Sequence, residues 1–256
     1  MRFECLARRS ALLGTVLLMS VARPAVSQTR GDGFLFKTPN GSFSLRGGYA
    51  VANAGSDLFS EVTSILTLDK RDFSSVSFGG DISFSASPRF DLVFGADFSS
   101  ATQDSEFRDL VEEVNGQDQP IRQSTSFKRL PLTASLKYYL TDRGRSIGQF
   151  AWIPSRYAPY VGVGGGTMWY RFRQNGDFVI DPETLEIRTQ KLESSGWGPA
   201  AQGMAGVDYT LRPWIALTAE ARYNWARASL NENVYEGFDK IDLSGFAGSM
   251  GFRVRF

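Results

Sequence analysis

The last seven residues of the chain read MGFRVRF, Met250 to Phe256. Apolar or aromatic side chains stand at Met250, Phe252, Val254 and Phe256, with Gly251, Arg253 and Arg255 between them. A period of two places alternate side chains on opposite faces of a β-strand. One face here is wholly apolar and the other carries two arginines, so the two faces meet different surroundings. The stretch also stops on an aromatic residue in mid-alternation, where a soluble domain commonly trails off in loose residues.

The same pattern recurs upstream. Eight segments alternate in this way: Ser42–Ala52, Ser74–Ser87, Arg89–Ala101, Phe127–Leu140, Ala158–Arg173, Ser195–Leu211, Pro213–Ala228 and Ile241–Phe256. Their apolar faces include Phe43, Leu45, Tyr49 and Val51 in the first, and Phe90, Leu92, Phe94 and Phe98 in the third. Every segment is long enough for a tilted strand to cross a hydrocarbon layer, which takes about 9–11 residues. Tight turns are expected at Ser87-Pro88-Arg89 and Leu211-Arg212-Pro213. The joins 53–73, 102–126, 174–194 and 229–240 read as long polar loops, and 141–157 as an intermediate connection. Short turns on one side and long loops on the other describe an up-and-down barrel. Strands in lipid must close, because an open edge leaves N–H and C=O groups without partners. The expected fold is therefore all-β, a single closed antiparallel transmembrane β-barrel of eight strands over residues 42–256, with both termini on the turn side.

The opposite parity then lines the lumen. An eight-stranded barrel is just wide enough inside for its own side chains, and buried charges must be paired. Arg46, Lys137, Asp208 and Arg253 fall about three to four residues in from the turn side, and Asp81, Asp97, Glu220 and Arg222 about six to nine. Each group holds both signs, so an interlocked ion-pair network is expected, with Glu220 and Arg222 close enough along one strand to pair directly. Aromatic rings favour membrane interfaces. Tyr138, Trp152, Tyr157 and Tyr160 are placed at the turn side, and Trp169, Trp197 and Trp225 at the loop side. Asp57–Thr67 reads as a helix in the first long loop, with Leu58, Val62, Ile65 and Leu66 near one face. It is expected to fold over the barrel mouth.

Residues 1–27 read as a secretory signal: Arg2, Arg8 and Arg9, then the apolar run Ala11–Ala22, then small residues at Ala25 and Ser27. The run is too short to span a bilayer as a helix. Residues 28–41 are assigned to an N-terminal periplasmic segment. Removing the signal takes Cys5 with it and moves the formal charge from +1 to −2. A balance near zero argues against a nucleic-acid partner. The chain has no His, which removes the usual general base and the commonest metal ligand. No cofactor, metal site or catalytic group is expected. GVGGGT (Gly162–Thr167) lacks the Gly-Lys-Ser/Thr ending of a phosphate loop and lies inside a strand, where Gly permits curvature or close packing.

With the signal segment, LPLTASLKYYL (Leu130–Leu140), APYVGVGGG (Ala158–Gly166) and the terminal GFRVRF, the chain resembles the small outer-membrane β-barrel proteins of the OmpA/OmpX/OmpW-like group. The resemblance implies residence in the bacterial outer membrane with periplasmic termini and contact with outer-membrane lipid. It implies that Phe252, Val254 and Phe256 form the signal read by the barrel-assembly machinery; with the last segment ending at Phe256, no OmpA-type peptidoglycan-binding domain is expected. It implies a structural or surface-presenting role, with loops contacting the outside, or alternatively a narrow conduit for small or hydrophobic molecules.

Overall fold

The computed structural model describes residues 33–114, 116–181 and 186–256; the signal segment 1–27 lies outside the described residues. Eight strands form a closed ring. They are β1 (Gly41–Ala52), β2 (Ser75–Ser85), β3 (Phe90–Val114), β4 (Gln117–Tyr139), β5 (Tyr157–Asp181), β6 (Glu186–Arg212), β7 (Ile215–Ala228) and β8 (Gly245–Arg255). Each pairs antiparallel with its neighbour in sequence, and β8 closes on β1 with Phe252 opposite Leu45 and Val254 opposite Phe43.

The apolar parity faces outward all round. Leu45, Phe78, Val163 and Phe252 are 60%, 66%, 68% and 54% exposed. An apolar surface this continuous far exceeds the few hundred Å² that a soluble monomer shows, so the exterior is built for lipid. Aromatic rings crowd its two rims: Phe90 against Tyr138 and Tyr157 against Tyr209 at the turn end, Tyr223 against Trp225 at the loop end.

The ring is uneven in height. β1, β2, β7 and β8 have 12, 11, 14 and 11 residues, whereas β3 to β6 have 25, 23, 25 and 27. The polar joins 102–126 and 174–194, expected as loops, are instead the continuations of β3–β4 and β5–β6 into two tall hairpins. Beyond the lipid the outer sheet face meets water, so the apolar alternation stops while the pairing goes on. At Gly116 the first hairpin reverses with φ +75°, a conformation open to glycine. Gly164 and Gly166 explain GVGGGT: a β-carbon at either would lie 2.5 and 2.0 Å from the carbonyl oxygens of Ala134 and Leu132 on β4.

Above Ser99 the edge of β3 has no partner in β2. The chain after the first helix covers it. Leu66 bridges to Phe107, Thr67 N–H donates to the Glu106 carbonyl at 2.8 Å, and Arg108 donates to the Thr63 and Leu68 carbonyls. At the turn end, Gly144–Ile147 and Ala151–Pro154 form a hairpin, and Leu35–Phe36 adds a third strand to it.

Candidate functional site: the barrel interior

Inward-facing side chains build the lumen in layers. At the turn end, Arg143 reaches back from the connection after β4. It donates to Asp91 (2.6 Å), Ser85 Oγ (3.0 Å) and the Ser87 and Pro88 carbonyls, and its guanidinium lies 4.9 Å over the Tyr139 ring. A cavity of about 320 Å³ lies there, bordered by Arg143, Tyr139, Trp152, Asp208, Arg253 and Arg255.

Next comes Arg253, 2% exposed. Its Nη1 donates to Tyr139 Oη at 3.0 Å and lies 3.5 Å from Asp208, while Tyr139 donates to Asp208 at 3.3 Å. Asp81 lies 3.8 Å from Arg253 and also pairs with Arg46. It therefore links the two groups of charges that a count along the strands separates. Arg46 pairs with Asp97 as well, through Nε at 3.1 Å and Nη2 at 2.9 Å, and lies 4.0 Å from Glu220. Arg222 bridges Glu220 (2.6 Å) and Asp97 (2.5 Å). Lys137, with no exposed surface, sits 4.0 Å from Glu220 and 4.0 Å over the Tyr160 ring. The eight residues singled out from the sequence thus occupy one connected set, four cations with four carboxylates. Gly79 makes room for it, since a β-carbon there would fall 1.9 Å from Asp97 Oδ1.

Tyr160 is a correction. Expected at the membrane rim, it points into the lumen and donates to Glu220 at 3.0 Å. Its parity, shared with Met168 and Tyr170, was the available signal, blurred by the glycines between. Trp152 is also buried, under the Arg255 guanidinium at 5.8 Å. Tyr139, Arg143 and Arg129 were missed. Tyr139 follows the lumen parity of Lys137, but a tyrosine beside Tyr138 reads equally as rim. Arg143 lies in a connection, where alternation says nothing.

Above the charges, Gln202 donates to Thr133 (2.9 Å) and Ser135 (2.5 Å), and Arg129 donates to the Leu243 and Ser244 carbonyls at 3.2 and 3.3 Å. The lumen then turns apolar. Helix α1 (Asp57–Ile65) lies across the mouth and buries Leu58, Phe59 and Val62. Phe59 is the centre, with its ring 4.7, 5.3 and 5.7 Å from those of Phe73, Phe127 and Phe172, all edge-on. Ile65, expected on the buried face, is 39% exposed, and Phe59 takes that role. Leu230, Tyr235, Ile241 and Leu243 complete the cap from the loop after β7.

That loop is tied to the first by Asp242. Its carboxylate accepts from Asn53 Nδ2 (2.8 Å), Gly55 N–H (3.0 Å) and Ser244 N–H (3.0 Å). Burial alone would raise the carboxyl's pKa, but these hydrogen bonds outweigh it and hold the group below the usual carboxylate value.

No family model and no curated protein matches the sequence. Among solved structures, the chain is similar to Neisserial surface protein A, at 15% identity, 84% coverage of this chain, 96% of that one and a TM-score of 0.46. It is similar to the outer membrane protein OprG from Pseudomonas aeruginosa (20% identity, 86% and 98% coverage, TM-score 0.45). It is also similar to the E. coli Outer Membrane Protein W (16% identity, 86% and 99% coverage, TM-score 0.38). By its own strand ring and apolar exterior, the chain is a closed eight-stranded transmembrane β-barrel.

Proposed function

We propose that this protein is a structural, surface-presenting barrel of the bacterial outer membrane, closed to solutes by its own interior. Two stacked layers support this reading: the charge network across the waist and the aromatic cap across the loop end. The single observation that carries it is Phe59, an outer-loop residue with no exposed surface, wedged against Phe73 of the same connection and against Phe127 and Phe172 of the barrel wall. A conduit would have to displace both layers, and removing one partner of a buried pair costs about 3–5 kcal/mol. What the barrel offers instead is its pair of tall hairpins, paired polar strands reaching past the lipid on one side.

In this reading the tall side faces outward and the turn end faces the periplasm. Phe252, Val254 and Phe256 form the segment read by the barrel-assembly machinery. Refolded protein in a planar bilayer is expected to give no discrete currents. Stepwise conductance from the unaltered protein would overturn the closed-lumen reading and favour the narrow conduit.

A further inference from the structure

The outer faces of β4, β5 and β6 carry a group of cations just above the loop-end tryptophans. Arg171, Arg173 and Lys191 converge on one carboxylate, Glu193, at 3.2, 2.8 and 3.2 Å. Lys128 has no carboxylate within ion-pair distance among the described residues, and it stands directly opposite Arg171 across the β4–β5 pairing. Like charges directly opposite destabilise a sheet. Four cations against one anion leave the patch with an excess of three positive charges.

Its height is fixed by the residues beneath it. Trp169 lies two residues below Arg171 on β5, pairs with Trp197 on β6, and has the Arg171 guanidinium 5.2 Å over its ring. Tryptophans on a barrel exterior mark the headgroup boundary. Two strand residues rise by about 7 Å or less, which brings the cations to the level of lipid phosphates. The carboxylates of β3 stand higher: Asp104 and Glu106 are paired with Ser124 and Arg122, farther up β4 than Lys128. Positive charge is thus concentrated at the membrane surface, and negative charge lies above it.

We propose that this face binds the phosphate-bearing headgroup of an anionic membrane lipid, seated against Lys128, Arg171 and Arg173. The lipid phosphate supplies the counter-charge that Lys128 lacks among the described residues and that one Glu193 carboxylate cannot supply to all four cations. The site rests on the membrane-spanning reading of the barrel but not on the closed lumen. Each cation near a membrane surface contributes about a fivefold preference for anionic lipid.

The test uses the full chain refolded into nanodiscs of phosphatidylcholine containing a minor share of phosphatidylglycerol. Retained lipids are then counted by native mass spectrometry after detergent release. The unaltered protein is expected to retain phosphatidylglycerol preferentially. A Lys128→Gln/Arg173→Gln double variant should lose about fivefold of that preference per charge, while Lys128→Arg/Arg173→Lys keeps it. Arg188→Gln, at an exposed residue paired with Glu186 far up the second hairpin, should leave it unchanged. Equal retention of both lipids by the unaltered protein, or an intact preference in the double variant, overturns the proposal. So does inorganic phosphate alone binding in phosphatidylcholine-only discs as well as the lipid does. Failure of the barrel reading itself would look different: no variant would enter discs or show heat-dependent gel mobility.

Discussion

The interior contains two cores that obey different rules. Around the waist, Arg46, Asp81, Asp97, Glu220 and Arg222 hold one another by charge. At the mouth, Phe59, Phe73, Phe127 and Phe172 hold one another by apolar contact. The first is made by residues fixed on the barrel wall. The second is half wall and half loop, so it forms only once a connection folds back. Charge pairs lose most when one partner disappears, because the other stays buried and uncompensated. Apolar contacts lose in proportion to the volume removed and to how far the neighbours can close in. The waist should therefore be brittle and the cap forgiving.

The largest effect is expected from Arg46→Met, which takes one cationic partner from each of Asp81, Asp97 and Glu220 and leaves four carboxylates with three cations. Denaturant unfolding of the refolded protein should show a loss of about 3–5 kcal/mol or more. Adding Asp81→Asn and Asp97→Asn should recover part of it; no recovery would break the claim that stranded charge is the cause. Phe59→Ala should cost about 3 kcal/mol, near the low end for a buried phenylalanine because loop residues can settle inward. It should also make the 53–73 segment sensitive to protease while the strands stay protected. Gly79→Ala comes next, at about 1–3 kcal/mol, since its methyl displaces Asp97 from Arg46 and Arg222. Its effect should be far from additive with Arg222→Met and close to additive with Phe59→Ala.

The smallest effect concerns pH. Asp242 has a depressed pKa in the folded protein. Its contribution is therefore complete above the unfolded carboxylate value of about 4, and it fades only as pH falls through the lower folded value. Asp242→Asn should weaken the cap slightly at neutral pH and flatten the acid limb of its stability. An unchanged acid limb would assign that limb to other carboxylates.

The two cores were unequally visible in the sequence. Parity alone assigned Arg46, Lys137 and Glu220 to the inner face, because lipid on one side of a strand draws the apolar residues to that side and leaves the charged ones to the other. The cap was legible only in part. The helix over the mouth and its buried Leu58, Val62 and Leu66 could be read, but its aromatic centre could not: Ile65 matched the helical stripe better than Phe59 did, and Tyr235 lies in a connection, where no period says which way a ring points. The tall hairpins escaped for a related reason: strand residues such as Thr102, Gln103 and Asp104 lie past the lipid, and a paired polar strand spells much like a loop. Arg143 reaches the lumen from a turn by tertiary contacts that leave no trace in local order.

The strip of chain at Leu66–Thr67 has a consequence beyond closing the mouth. Where β3 outgrows β2, its free backbone groups would template a strand from another molecule. The bridge to Phe107 and the Thr67–Glu106 hydrogen bond occupy that edge. Shortening the first loop would therefore do more than uncap a barrel: it would expose a sticky seam, and copies crowded in one membrane plane would be free to zip together, side to side.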